Sequence, residues 1–80
     1  MVSAKSEEEW GTRASAFIKA ELKKAGVTYA ELAKRLKKHG FKEESSSTIS
    51  MKLMRGAFAA SFLLACLAAL ELEGVSLEDV

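Results

Sequence analysis

Hydrophobic positions recur along this chain at helical spacing and are punctuated by glycine. Between Glu7 and Ala25, the residues Trp10, Ala14, Phe17, Ile18 and Leu22 fall three or four apart, which places them on one face of a helix. Gly26 stands where that helix should stop. Glu7, Glu8 and Glu9 open the segment and Lys23 and Lys24 close it, each sign matched to the pole of the helix dipole it stabilises. A second helix begins at Thr28, where Thr28 and Glu31 have capping-box spacing and Val27 and Leu32 occupy the staple positions. Leu32, Ala33 and Leu36 form its apolar stripe, and Gly40 reads as a left-handed stop just after His39.

A polar stretch, FKEESSS, follows. Its serines are natural caps, and Phe41 is expected to plug into the core. The third helix starts at Ser45 or Ser46 and ends at Gly56, with Ile49 and Leu53 facing inward and Ser47, Ser50, Met51, Met54 and Arg55 outward. The fourth, from Phe58 to Glu71, is apolar on nearly every side. Its apolar run, Ala57 to Leu70, is shorter than the roughly twenty residues that cross a bilayer. In so small a chain such a helix is either central to the core or shared with a second copy. A homodimer is therefore expected, with Phe62, Leu64 and Leu67 at its interface. The closing GVSLEDV should turn at Gly74, return Val75 and Leu77 to the core, and use Ser76 to cap one short turn.

The pattern predicts an all-α fold, a compact domain of four to five helices. Residues 1–6 are expected as a flexible N-terminus, 7–74 as a single helical domain and 75–80 as a C-terminal tail. The 80 residues suffice for one core and not two. Charge alters the picture more than composition does. The formal net charge is only +1. Between Lys34 and Arg55, however, Lys34, Arg35, Lys37, Lys38, Lys42, Lys52 and Arg55 oppose only Glu43 and Glu44. Beyond Gly56 the charged residues are Glu71, Glu73, Glu78 and Asp79, all acidic. A basic middle is thus followed by an acidic tail.

Candidate chemistry is sparse. Cys66 is the single cysteine, so neither an internal disulfide nor a zinc site of paired thiolates can form, and a cytoplasmic setting is the simplest fit. The polar opening MVSAKSEEEW has no secretory apolar stretch. Cys66 is expected to be a buried, inert thiol, and His39, the single histidine, a helix-end residue among lysines. No glycine-rich phosphate loop, paired carboxylate or metal-ligand spacing is present, so no enzyme activity, cofactor, metal or membrane partner is expected.

Three segments carry a family resemblance. VTYAELAKRL, residues 27–36, resembles the second helix of the lambda-repressor-like, or XRE-type, helix-turn-helix family. STISMKLMRG, 47–56, resembles that family's recognition helix, and LAALELEGVSL, 67–77, is similar to the finish after its last helix. More closely, TYAEL with KLMRGAF looks like a small bacterial family of uncharacterised domains. Two departures stand out: Lys37 occupies the usual place of the turn glycine, and Ile49 lies sixteen residues after Ala33 rather than about ten. The turn is therefore some six residues longer, which alters how the third helix is presented.

The resemblance implies a DNA-binding domain of the kind that transcriptional regulators carry, whose third helix enters the major groove. Ser46, Ser47, Ser50 and Met51 would then lie nearest base edges, with Lys38, Lys42, Lys52 and Arg55 along the phosphates. The same residues also suit a protein-interaction or dimerisation module without DNA: the lysines of the second helix equally fit a solvated face, the serines act as caps, and Met51 and Met54 suit a packing surface.

Overall fold

A computed structural model describes residues 6–80, and the expected flexible N-terminus lies, apart from Ser6, outside them. Four α-helices and a short 3₁₀ turn follow in order: α1 Glu7–Ala25, α2 Tyr29–Lys37, α3 Ser46–Arg55, α4 Ala60–Ala69 and the turn Leu77–Asp79. The radius of gyration, 12.1 Å, is close to the roughly 12 Å of a compact domain of this length. The all-α architecture is as the periodicity predicts.

Local chemistry explains most of the boundaries. Ser6 Oγ accepts a hydrogen bond from Glu9 N and caps α1, whose far end closes at Gly26 in the left-handed conformation. Val27 N then donates to Leu22 O at 2.9 Å, which leads the chain into α2. Thr28 Oγ1 accepts from Glu31 N at 3.1 Å. The reciprocal half of the expected capping box is replaced, because the Glu31 carboxylate takes Arg35 Nε at 3.1 Å instead. After α2 the chain turns through Gly40 (φ +92°), and Phe41 N donates back to Leu36 O.

The core lies where α2 meets α3 and α4 and where α1 meets α3. Ile18 and Leu22 from α1, Leu32 and Leu36 from α2, and Ile49 and Leu53 from α3 are buried in it. Each such side chain contributes about 1.5–3 kcal/mol relative to leaving it in water. Phe41 packs against this cluster as expected. Trp10, placed on the inward face of α1 by its spacing, is instead 39% exposed.

The last helix departs most from expectation. It is shorter at both ends than Phe58–Glu71, since Ala59 is extended (φ −68°, ψ 150°) and Glu71 adopts φ +59°. Phe58 precedes the helix and meets Phe62 edge-on, with centroids 5.4 Å apart. One side of α4, carrying Phe62, Ala65, Cys66 and Ala69, is buried, so the helix lies at the edge of the core rather than within it. Val75 and Leu77 do not return to the core; Leu77 is 71% exposed. Ser76 does cap the terminal turn, its Oγ accepting from Glu78 N.

Candidate nucleic-acid interface

The residues of interest are arranged by α3 and the eight-residue connection, 38–45, that leads into it. Ser45 Oγ accepts from Thr48 N at 3.3 Å, and Thr48 Oγ1 accepts from Ser45 N at 2.8 Å. This is a capping box made of serine and threonine. It fixes the start of the helix and therefore its rotation. Ile49 and Leu53 consequently turn inward, while Ser46, Ser47, Ser50, Met51 and Met54 remain on the outside. Arg55 is exposed at the far end of the helix, roughly 13 Å along its axis from Ser46. Lys38 and Lys42 are exposed on the connection, and Lys34 and Lys37 on α2.

Lys52 is held differently from the other cations. Its ammonium pairs with the Glu44 carboxylate and stands 4.7 Å above the centre of the Phe62 ring. The Thr48 hydroxyl donates to the second carboxylate oxygen at 2.6 Å. Burial alone would push the Glu44 carboxyl up. The hydrogen bonds from Lys52 and Thr48, with the lysine's charge, outweigh that effect and hold it below its ordinary value. The ammonium expected on phosphate is thus committed within the protein, where it ties the connection to α3 and α4. Glu44 and Thr48 were not singled out by pattern. Their spacing of four is visible in the sequence, but Glu44 precedes the helix, so helical register does not predict the contact.

Beneath this pair, Phe41 and Phe58 both meet Phe62 edge-on. Cys66, one turn further along α4, is fully buried, and burial, with a smaller push from the Glu44 charge that Lys52 opposes, raises its thiol to about 12. It therefore stays protonated and inert at neutral pH, as its place in an apolar helix predicts. Phe62 is likewise a core residue, 2% exposed, which corrects its assignment to a dimer surface. Of that expected trio, Leu64 is 64% exposed and Leu67 half-buried.

Arg35 also leaves the cationic face. Besides Glu31, its guanidinium reaches across to α4, where Nη1 donates to Ala69 O at 3.1 Å. That carbonyl belongs to the last turn of α4, whose orphan acceptors and negative pole favour a cation. Two shallow clefts flank α3. One, between α2 and the start of α3, has Lys34, Lys37, Glu44 and Ser46 in its walls. The other brings Arg55 beside Trp10 and Phe58.

Among the described residues, no group of His, Cys, Asp or Glu is placed to hold a metal ion, and no helix is long and apolar enough to cross a membrane. Comparison with curated proteins and with solved structures finds no match. A family model described as "Domain of unknown function (DUF6471)" matches residues 10–75, from the start of α1 to just beyond α4. The match spans the four-helix unit and most of the chain, and the chain belongs to that family.

Proposed function

We propose that this domain binds duplex DNA as a homodimer, as a helix-turn-helix unit with a lengthened connection, and serves in transcriptional regulation. The observation that carries the reading is the outward face of α3. Its serines and methionines are exposed, and exposed lysines lie on the adjoining α2 and connection. In this reading Ser46, Ser47, Ser50 and Met51 approach base edges, and Lys38, Lys42 and Arg55 contact phosphates. Lys52 supports the helix through Glu44 rather than touching the duplex. Hydroxyls pair with several bases and methionine offers only apolar contact, so affinity is mainly electrostatic and discrimination modest.

A salt titration of duplex binding tests this. Three cations per protomer in a dimer predict a log–log slope near −5. Lys42→Ala and Arg55→Ala should each flatten the slope, whereas Lys52→Met should leave it unchanged while lowering stability. No detectable binding to generic duplex at low salt would sink the proposal.

A further inference from the structure

We infer that the acidic segment beyond Leu72 is a built-in competitor: it closes over the basic end of α2 and the connection and excludes other polyanions from them. This competition rests on the phosphate-binding role given to those lysines above, and it is measurable without DNA.

Backbone chemistry fixes where the segment leaves α4. Glu71 N donates to Ala68 O and Leu72 N to Leu67 O, both at 3.0 Å. These are the paired bonds of a Schellman closure, which sets Glu71 at φ +59°, the left-handed position that glycine usually fills. Glu71 there shares the walls of a third cleft with Arg35, Lys38 and His39. Arg35 bonds Ala69 O across the same junction. The acidic segment therefore starts against the cationic end of α2.

From that start the cations form one arc. At about 100° per residue, Lys37, Lys34, Lys38 and Arg35 follow one another around the end of α2. The arc joins this cleft to the one that Lys34 and Lys37 line beside the start of α3. Lys34, Lys37, Lys38 and, on the connection, Lys42 are exposed, and among the described residues none of them forms a salt bridge. Glu73 and Glu78 are likewise exposed and outside any salt bridge among those residues.

Charge and length then match. No basic residue follows Arg55, so the segment brings only negative charge to the arc. Seven residues separate Glu78 from Glu71 and can span up to about 24 Å, whereas Lys34 and Lys38 lie only about 6 Å apart along α2. Nor does burial hold the segment elsewhere, because Val75 is 40% and Leu77 71% exposed. Each exposed ion pair is weak alone, but attachment keeps the carboxylates near their target at an effective concentration on the order of millimolar. A contact of this strength yields to a denser polyanion and is screened by salt.

Carbodiimide cross-linking of the dilute full chain, with isotopically labelled and unlabelled copies mixed, should join Glu73 or Glu78 to Lys34, Lys38 or Lys42 within one chain. High salt should abolish these links. Affinity for a heparin oligosaccharide at low salt should rise about three- to tenfold in the Glu73→Gln, Glu78→Gln double variant and in a chain truncated after Leu72, and the gap from wild type should close as salt rises. The full-length double variant keeps the test valid if truncation impairs folding. Glu7→Gln with Glu8→Gln changes net charge equally at the start of α1, outside the arc, and should raise affinity much less. Absence of the links, links formed only between chains, unchanged heparin affinity in the double variant, or an equal rise in the α1 variant would each overturn the inference. Links and a heparin response in a chain that binds no duplex would leave this contact standing and remove the reading of α3.

Discussion

A β-carbon placed on Gly11 would lie 1.9 Å from the carbonyl oxygen of Gly56. The start of α1 and the end of α3 therefore meet backbone to backbone, and both residues are held by the contact: Gly56 also needs its left-handed φ of +65°. Gly11 shares a face of α1 with Ser15, Ile18 and Leu22, so small residues admit α3 where the helices are closest and large ones fill the space further along.

Replacing glycine by alanine within a helix normally stabilises by about 1 kcal/mol. At Gly11 the sign should reverse. A methyl group overlapping backbone cannot be relieved by a rotamer change, so Gly11→Ala is expected to destabilise by about 2–3 kcal/mol. Urea unfolding should show it as a lower midpoint with an unchanged slope. Gly74→Ala, where nothing lies within 4 Å, serves as the control and should cost little.

Glu44 sets the acid side of the stability profile. Its folded carboxyl lies below the ordinary value because the bonds from Lys52 and Thr48 outweigh burial. A carboxyl so shifted contributes stability above its unfolded pKa, and that contribution is lost as pH falls through the folded one. Wild-type stability should thus decline below about pH 4.5, and Glu44→Gln should remove this part of the decline. At neutral pH the same substitution should cost about 2 kcal/mol through lost charge-assisted hydrogen bonds. Chemical unfolding across acid pH would show it; equal acid sensitivity in Glu44→Gln would refute the assignment.

The legibility of the fold followed the punctuation of the chain. The first three helices carry polar caps and glycine stops, and their boundaries fall within about two residues of expectation. The fourth has neither: from Ala57 to Leu70 alanine, leucine and phenylalanine follow one another, so nothing local marks Ala59 as extended or Glu71 as left-handed. The same uniformity hid Phe62 in the supposed dimer set, because a helix apolar all round does not declare which side meets the core. The outward set of α3 was readable from Ile49 and Leu53. The engagement of Lys52 and Arg35 was not, since it depends on Phe62 and on Ala69 O, contacts made only by the folded chain. Gly11 was missed for a similar reason: a glycine within a helix reveals its role only through what approaches it.

Arg35 joins α2 to the end of α4, and the planar fork of its side chain lets it serve Glu31 and Ala69 O together. Arg35→Ala should destabilise by about 1–2 kcal/mol. Arg35→Lys should recover less than half of that, since a single ammonium cannot match both directions. The pair with Glu31 is partly exposed, so a double-mutant cycle with Glu31→Gln should find a coupling of only about 0.5 kcal/mol. A full rescue by lysine would show that charge, not geometry, carries the link.

Cys66 sets the alkaline side. Its folded thiol is raised to about 12, chiefly by burial, against an ordinary value of 9.0. Above pH 9 the unfolded chain releases this proton while the folded chain retains it, so the unfolded state binds fewer protons and stability falls as pH rises. The slope contributed by this group should approach about 1.4 kcal/mol per pH unit between the two values. Cys66→Ala should lower stability at neutral pH by about 1 kcal/mol through the lost sulfur volume, yet flatten the decline at high pH, so that the two stability curves converge. The same burial predicts that iodoacetamide labels Cys66 slowly in the folded chain and readily once urea unfolds it. Rapid labelling of the folded chain, or parallel alkaline curves for the two proteins, would show that the thiol is not shielded in the core.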